Sequence, residues 1–558
     1  MNTQYLSLME KTLSAYTDEH ILQYFNKVKS EGLTEHGFPR LTANIGILIS
    51  YGRRLDLLPI FIEMMEFCCK SIPNKKAAND FSVREIVCCI MELEKNNAVK
   101  SECTEKWKGY LKTIDPQKTY TVYAKNPTDP VKNWALFSAV SEFFRQKLVH
   151  CDSSQFIDVQ IESQLKWLDE NGMYMDADGD VHHPMVYDLV ARGLFSLLLH
   201  SGYKGRHYQT IDAVLKKAGL LSLKMQSVNG ELAFGGRSNQ CLHNEAWLSA
   251  IFEFEAQRYE KDGDDCFAKK FKARAKLALS NLESWLNKTP ISHVKNRFPI
   301  DSFFGCENYA YFDKYMITAS SFLYVASLFC NDNILPGEYN EKPSIWITSE
   351  HFHKTFVKTK EYFLEFDTNA DICYDACGLG RVHKRGAESA ICLSVPFPSS
   401  NNSNYNLGKN KEQTAFSICP AIKKQDCWFL GAEDRVKYSL SLAKTDENCA
   451  RVGFVCNFES EVVEFDCMVN DECVMLQAKG HGDVGIALPV FDFDGETHSQ
   501  ISAQDNKVCV KYGDWVCEYS ADVICSMNME VANRNGIYKC YMATGNKNVI
   551  VKIRIYPQ

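Results

Sequence analysis

One segment of the chain carries five polar side chains that can bind or activate a substrate within nine residues. The segment "FGGRSNQCLHNEAWLSAIF" begins as a glycine turn, ends as an apolar helix, and contains Arg237, Asn239, His243, Asn244 and Glu245. The start of a helix ordinarily needs one capping side chain. A cation, two amides, an imidazole and a carboxylate at one helix start therefore indicate chemistry beyond capping.

Similar clusters lie at the starts of other predicted helices, while the helices between them carry ordinary lysine and glutamate surface faces. The clusters comprise His36 and Arg40 in "TEHGFPRLTANIGIL", Lys132, Asn133 and Trp134 in "YAKNPTDPVKNWALF", His182, His183, Tyr187 and Asp188 in "DADGDVHHPMVYDLVARG", and Glu307, Tyr309, Tyr311, Asp313 and Tyr315 in "FFGCENYAYFDKYM". Burying such polar sets without a ligand would cost on the order of several kcal/mol. We therefore predict that the clusters meet at one cavity.

The residue types in these clusters suit an anionic substrate that is rich in hydroxyl groups. An arginine binds a carboxylate through two parallel hydrogen bonds, and a helix N-terminus adds partial positive charge. Asparagines donate hydrogen bonds, and aromatic faces stack on a sugar ring. A uronic acid residue meets this description. The candidate binding residues are Arg237, Asn239, Asn244, Trp134, His183 and Tyr311.

The periodicity of apolar residues divides the chain into two halves that must position these side chains. From Met1 to about Asn333, segments such as "LPIFIEMMEFCCKSI" repeat apolar residues at helical spacing and predict about twelve helices, enough for a ring of six hairpins. Beyond this, segments such as "RVKYSLSLAK" and "NVIVKIRIY" indicate strands. The predicted fold is an α+β multidomain protein, with an N-terminal (α/α)6 toroid at residues 1–340 and a C-terminal antiparallel β-sandwich at residues 341–558.

Composition limits the classes of partner and the compartment. The 558 residues carry 62 basic and 70 acidic side chains, a net charge of −8, which argues against a nucleic-acid surface. The sequence shows neither a signal-peptide pattern nor an apolar run of roughly 18 residues. The 23 cysteines have no repeating spacing and no zinc-binding pattern. We therefore expect a cytoplasmic protein without metal, cofactor, membrane or nucleic-acid partner; a homo-oligomer stays open.

Three motifs, "RSNQCLHNEAW", "GCENYAYFDKY" and "GLGRVHKRGAES", accompany this order of a helical toroid and a β-domain. In these features the chain resembles the heparinase II/III-type polysaccharide lyases and related toroid enzymes that act on acidic glycans. The resemblance implies a cleft with asparagine, histidine, tyrosine and arginine side chains, in which a uronate glycan is cleaved by elimination without a metal ion.

An elimination assigns a task to each group of candidates. The uronate carboxylate must be neutralised so that the C5 proton becomes acidic, and Arg237, Asn239 and Asn244 are the candidates. A base must remove that proton and an acid must protonate the leaving oxygen. His243 and Tyr309 can share these two catalytic tasks, because the environment can tune the pKa of both side chains.

Two other functions remain open from the sequence. Hydrolysis of the β-glucuronidase type needs two carboxyl groups, about 5 Å apart for retention or farther apart for inversion. Glu245 and Glu307 precede separate inner helices and are the catalytic candidates for it, with Asp188 and Asp313 in reserve. A non-catalytic glycan-binding protein would need none of these acids.

The start of the β-domain is expected to complete the pocket. His383 and Arg385, in "GRVHKRG", are the residues expected to reach over the rim of the toroid and bind substrate. A cytoplasmic enzyme would meet short imported oligosaccharides, so a pocket closed on one side by the β-domain is expected. Attack from the end of the chain, or exo action, follows from that shape.

Overall fold

The computed structural model describes residues 2–74, 79–176, 182–338, 341–401, 403–408, 413–459 and 461–558. Within these residues, fourteen α-helices precede fifteen β-strands, so the predicted order of a helical half and a sheet half is confirmed. The last helix ends at Phe329 and the first strand begins at Ser344. The predicted boundary near residue 340 falls on residues 339 and 340, which lie outside the described residues.

Six of the helices form a closed inner ring, and most of the others pack outside it. The helices are α1 (Thr3–Leu13), α2 (Asp18–Glu31), α3 (Gly37–Ser50), α4 (Leu58–Ser71), α5 (Asn79–Lys95), α6 (Ser101–Lys112), α7 (Pro116–Thr119), α8 (Trp134–Val149), α9 (Ser154–Leu165), α10 (Met185–His200), α11 (Tyr208–Met225), α12 (His243–Lys261), α13 (Asp265–Leu286) and α14 (Phe312–Phe329). In the ring, α3 packs on α5, α5 on α8, α8 on α10, α10 on α12, α12 on α14, and α14 on α3. This closure is the predicted (α/α)6 toroid.

Inner and outer helices differ in how much of their surface is buried. Every residue of α3 is buried, including Arg40 and Asn44, because an inner helix has neighbours in the ring and an outer helix behind it. The outer helix α2 buries Ile21, Phe25 and Val28, one stripe at three- and four-residue spacing. Among the described residues, no helix has the length and apolar character needed to cross a membrane.

The described residues of the sheet half form two antiparallel sheets. Its strands are β1 (Ser344–Ile347), β2 (Lys354–Lys358), β3 (Tyr362–Asp367), β4 (Gly378–Lys384), β5 (Pro420–Lys424), β6 (Cys427–Leu430), β7 (Lys437–Thr445), β8 (Cys449–Phe458), β9 (Glu461–Asn470), β10 (Val474–Phe493), β11 (Gln500–Gln504), β12 (Lys507–Tyr512), β13 (Trp515–Ser520), β14 (Ile524–Asn533) and β15 (Gly536–Pro557). Strands β1 to β4 form one sheet in sequence order. The second sheet has eleven strands in the order β11-β12-β13-β15-β10-β9-β8-β7, with β14 paired to β15, β5 to β10 and β6 to β5.

The two sheets pack face to face over one apolar core, as predicted for a sandwich. Phe366 of β3 lies 5.1 Å from Phe454 of β8, measured between ring centroids. Tyr362 of β3 accepts a hydrogen bond at its hydroxyl from the backbone N–H of Ile555 in β15. A smaller apolar cluster, which includes Met185 at the start of α10 and Phe356 in β2, joins the four-stranded sheet to the helical half.

Candidate functional site

The starts of five inner helices surround a cavity of about 470 Å³. Its described lining comes entirely from the helical half: His36, Arg40, Phe81, Val122, Lys132, Asn133, Trp134, Phe137, Asp176, Val186, Tyr187, Val190, Arg237, Ser238, His243, Tyr309, Lys314, Tyr315, Thr318 and Phe322. The polar clusters at the starts of α3, α8, α10, α12 and α14 all contribute. The ring brings them together because each inner helix presents the same end to the central hollow.

Arg237 and Asn133 lie beside each other in this lining because one carboxylate holds both. Asp176 accepts hydrogen bonds from the backbone N–H of Asn133 at 3.0 Å and from its side-chain Nδ2 at 3.1 Å. The same carboxylate lies 3.5 Å from Nη2 of Arg237. Cζ of Arg237 lies 4.9 Å from the ring centroid of Tyr187. A cation, an amide and a phenol therefore share one wall of the cavity.

Ser238 links two further tyrosines to the turn that carries Arg237. Its hydroxyl lies 3.1 Å from the hydroxyl of Tyr315 and 3.4 Å from that of Tyr309. Ser238 has a φ of 59°, in the left-handed region that non-glycine residues seldom adopt. Such a conformation persists only where the surrounding contacts fix it. The turn is thus held in one shape at the cavity.

The two histidines of the lining are neutral at pH 7. Burial and, to a smaller extent, the charge of nearby Arg40 lower the pKa of His243 to about 3. Burial also holds the pKa of His36 well below its usual value. Within the described part of the chain, Nδ1 of each ring has no hydrogen-bond partner. In each ring this nitrogen is buried, and its hydrogen-bonding capacity is not used by any described residue.

The tyrosines of the lining are protonated at neutral pH. Burial raises the pKa of Tyr187, while the guanidinium of Arg237 and a hydrogen bond with Ser238 oppose the increase. Burial raises the pKa of Tyr309 and of Tyr315 further, and neighbouring tyrosines and Glu307 add to the increase. Tyr187, with a cation beside it, is the tyrosine that loses its proton most readily among the three.

Positive charge dominates the described lining, which contains four cations and one carboxylate. Arg40 pairs with Glu85 at 3.3 Å and donates to the hydroxyl of Thr318 at 2.6 Å. The amine of Lys314 has a pKa that burial lowers. Among the described residues, no group of three or more side chains has the arrangement of a metal site. The cavity is suited to an anion with polar substituents.

Of the twelve residues to which the sequence assigned a catalytic or binding role, four line the cavity: Arg237, His243, Tyr309 and Trp134. The remaining eight are absent from its described lining: Glu245, Glu307, Asn239, Asn244, His183, Tyr311, His383 and Arg385. Whether a residue lines the cavity depends on its partners elsewhere in the chain, and the local sequence does not reveal those partners.

Each of the two glutamates considered as catalytic acids forms an ion pair with a buried cation. Glu245 is 1% exposed, lies 2.8 Å from Nζ of Lys295, and accepts the backbone N–H of Leu232. Glu307 is 2% exposed and accepts hydrogen bonds from both terminal nitrogens of Arg534, at 2.7 and 3.1 Å. The structure therefore places both carboxylates behind the cavity wall, as ion-pair partners.

Asn239 and Asn244 stabilise the turn from within. Asn239 donates its side-chain amide to the carbonyl of Ala233 at 3.1 Å. Asn244 donates to the carbonyl of Ser238 at 3.2 Å and accepts the backbone N–H of Cys241. Both amides are buried and bonded to backbone, so they shape the segment around Arg237 and do not face the cavity.

The other four candidates lie elsewhere. His183 contacts His351 and Phe352, and Tyr311 lines a separate surface groove. His383 is buried between the hydroxyls of Ser227, at 2.7 Å, and Ser394, at 3.0 Å. Arg385 donates to the carbonyl of Lys360 and lines another cavity between the two halves. Strand β4, which contains His383 and ends just before Arg385, packs beside the toroid and leaves the described cavity lining to the helical half.

Asn133 and Tyr187 line the cavity although sequence reasoning assigned neither a role. Both lie in polar clusters at the starts of inner helices, and Asn133 directly precedes Trp134. The available signal was this position: Asn133 is the residue before α8 and Tyr187 lies in the first turn of α10. An inner helix directs its first turn at the hollow.

Comparison with known proteins finds similarity only to solved structures; no protein-family model and no curated protein matches the chain. The heparan sulfate lyase HepC from Pedobacter heparinus is 12% identical, with 89% of this chain and 75% of that chain covered and a TM-score of 0.36. Heparinase III is 9% identical, covering 94% and 86%, with a TM-score of 0.39. The Streptomyces coelicolor A3 chondroitin AC lyase, in complex with chondroitin sulphate, is 8% identical, covering 99% and 82%, with a TM-score of 0.48.

Proposed function

We propose that the protein cleaves a uronic-acid-containing oligosaccharide by β-elimination in this cavity. The observation that carries the proposal is the convergence of Arg237, Asn133, Tyr187, His243 and Tyr309 on one cavity of about 470 Å³. Pockets for small ligands ordinarily measure about 300–1,000 Å³. The cavity combines groups that bind a carboxylate with groups that transfer protons, the two requirements of this reaction.

Arg237 and Asn133 bind the uronate carboxylate in this proposal. Both are fixed by Asp176, so they need little rearrangement to receive the anion. When the C5 proton leaves, negative charge spreads into the carboxylate, and a guanidinium and an amide donor stabilise it there. The same contacts that bind the substrate therefore strengthen in the transition state.

Tyr187 is the proposed base and Tyr309 the proposed acid. Tyr187 is protonated at neutral pH, so it first releases its proton to solvent, a step that the charge of Arg237 beside it favours. The phenolate then takes the C5 proton of a bound uronate. The electron pair of that C–H bond forms the C4–C5 double bond, and the C4–O bond breaks. The leaving oxygen takes its proton from Tyr309, which is 38% exposed at the mouth of the cavity and is protonated at neutral pH. His243 serves as a hydrogen-bond partner for the sugar and is the second candidate for the base.

The single carboxylate of the described lining favours elimination over hydrolysis. Hydrolysis with two carboxyl groups needs both of them at the scissile bond. Asp176 is engaged with Asn133, whereas Glu245 and Glu307 pair with cations outside the described lining. Proton transfer by tyrosine and histidine is therefore the chemistry that these groups support.

The shape of the cavity supports attack at a chain end. Its lining includes buried side chains, among them Arg40, His243 and Phe322, together with Tyr309, which is 38% exposed. A polysaccharide passing through would need two open ends. We therefore propose exo action on a short uronate oligosaccharide.

The product distinguishes the candidate functions. The protein is incubated with a panel of uronate di- and oligosaccharides, and ultraviolet absorbance and product masses are recorded. Elimination creates an absorbing unsaturated uronate, and the product masses sum to that of the substrate. Products heavier by one water would establish hydrolysis instead, and binding without turnover would establish a glycan-binding protein.

Two tyrosine variants assign the activity to this cavity. Removing a positioned general base or acid typically costs about 10²- to 10⁴-fold in rate, so Tyr187→Phe is expected to lower kcat by that amount. Tyr512→Phe is the matched control, because Tyr512 donates to Asp494 in the sheet half and does not line this cavity. Equal activity of the two variants would remove Tyr187 from the mechanism.

A further inference from the structure

The segment that carries Arg237 is bound by charged side chains at alternate backbone groups. The N–H of Phe234 donates to Glu365 at 3.1 Å, that of Gly236 to Asp375 at 2.7 Å, and that of Ser238 to Glu307 at 2.6 Å. Three carboxylates therefore hold the backbone of residues 234–238.

Two of these carboxylates belong to the sheet half. Glu365 lies in β3, and Asp375 lies in the loop before β4. Both are buried. Burial raises the pKa of Glu365 to about 7 and that of Asp375 to about 6, so Asp375 is the acceptor that is mainly ionised at neutral pH. Hydrogen bonds to an ionised acceptor are shorter and roughly twice as strong as neutral ones. The sheet half, which supplies no described residue to the cavity lining, thus binds the backbone on either side of Gly235.

Two buried cations of the sheet half complete this contact. Arg381 donates to the carbonyl of Leu232 at 2.7 Å and lies 3.4 Å from Glu365. The amine of Lys354 lies 3.4 Å from the ring centroid of Phe234 and 3.5 Å from Glu365. Charged groups of the sheet half therefore contact both the backbone and the side chains of residues 232–236.

Two glycines allow the backbone of the segment to turn and to approach the start of α10 closely. Gly235 and Gly236 have φ values of 145° and 70°. A Cβ on Gly236 would lie 3.0 Å from Cβ of Pro184, the residue before α10. The segment is consequently confined between the start of α10 on one side and the carboxylates on the other.

We propose that Asp375 and Glu365 are positioning residues for Arg237: by fixing the backbone at Gly236 and Phe234, the sheet half sets where the guanidinium meets the substrate carboxylate. This inference rests on the proposed function. A displacement of about 1 Å in a group that orients a substrate can lower a rate about 100-fold. The catalytic contribution of the sheet half is this placement of Arg237.

The test combines turnover with hydrogen exchange of the backbone. Asp375→Ala is expected to speed amide exchange in residues 234–238 while α12 stays protected, to raise KM, and to lower kcat/KM by about 10- to 100-fold. Asp375→Asn keeps an oxygen that accepts the Gly236 N–H, and should restore most of both properties. Glu518→Ala, at a buried sheet carboxylate paired with Arg554, is the matched control and should change neither.

Each other outcome overturns the inference. Faster exchange with unchanged kcat/KM would show that the placement of the segment does not matter for turnover, and unchanged exchange would show that Asp375 does not hold it. If Asp375→Ala does not fold, Asp375→Ser, whose shorter side chain does not reach the Gly236 N–H, replaces it. Exchange needs no turnover, so a wild-type protein without elimination activity would refute the proposed function while exchange still decides whether Asp375 holds the segment.

Discussion

Replacing Arg534 with methionine should destabilise the protein more than removing any exposed ion pair. Arg534 lies in the turn between β14 and β15, is 2% exposed, and donates two hydrogen bonds to Glu307 and one to the carbonyl of Gly305 at 2.8 Å. Its Cζ also lies 4.0 Å from the ring centroid of Tyr405. The substitution therefore removes the cation and leaves a buried carboxylate.

The size of the effect follows from that uncompensated charge. Removing one partner of a buried ion pair costs about 3–5 kcal/mol. Glu307 keeps the hydrogen bond from the N–H of Ser238, which places the expected loss near 3 kcal/mol. Arg534→Met combined with Glu307→Gln removes both charges, so the double variant should lose less than the sum of the two single variants.

Urea unfolding measures these free energies, because the unfolding free energy falls linearly with denaturant. Arg451→Met is the control: Arg451 pairs with Asp466 at 2.6 Å, but the side chains are 49% and 25% exposed, and such a pair contributes about 0.2–1 kcal/mol. A loss for Arg534→Met no larger than that of the control would refute the reasoning. Strict additivity in the double variant would refute the coupling between Arg534 and Glu307.

Three further substitutions test burial and packing. Burial lowers the pKa of His383 to about 3, so below pH 6.5 the unfolded state binds a proton that the folded state does not bind. The unfolding free energy of wild type relative to His383→Gln should therefore fall by about 1.4 kcal/mol for each pH unit of acidification below pH 6.5. A pH-independent difference between the two proteins in urea unfolding would contradict this. Gly193→Ala in α10 should cost about 1–3 kcal/mol, because its Cβ would lie 2.5 Å from the ring of Trp247. Gly109→Ala in α6 should stabilise by about 0.5–1 kcal/mol, because nothing lies within 4 Å of the added Cβ; thermal unfolding shifts of the same sign for both glycines would refute the packing argument.

The helical ring could be predicted because its signals are local. Apolar spacing identifies helices, and the alternation of polar and ordinary helix starts separates inner helices from outer ones. His36 precedes α3 and Asn133 precedes α8, both in the ring. The inner helix α5 begins at Asn79, and the polar clusters predicted from the sequence do not include its start. Its place in the inner ring follows only from its packing on α3 and α8.

The identity of the cavity-facing residues depended on partners far away in the chain. Glu307 and Arg237 lie in similar polar clusters, yet Glu307 binds Arg534 of the sheet half, 227 residues away. Glu245 likewise pairs with Lys295. Asn239 and His243 are four residues apart but do not share a helical face, because α12 begins at His243 and Asn239 lies in the preceding turn.

The sequence by itself determined the two halves, the order of helices and strands, and the ends of the inner helices at which polar side chains gather. Periodicity and turn residues carry that information within a few positions of each element. Only the tertiary structure decided which of those side chains face the cavity and which are neutralised behind it. The physical reason is that a buried charged side chain pairs with the oppositely charged side chain nearest to it in space. The packing of segments that are remote in sequence determines which side chain that is.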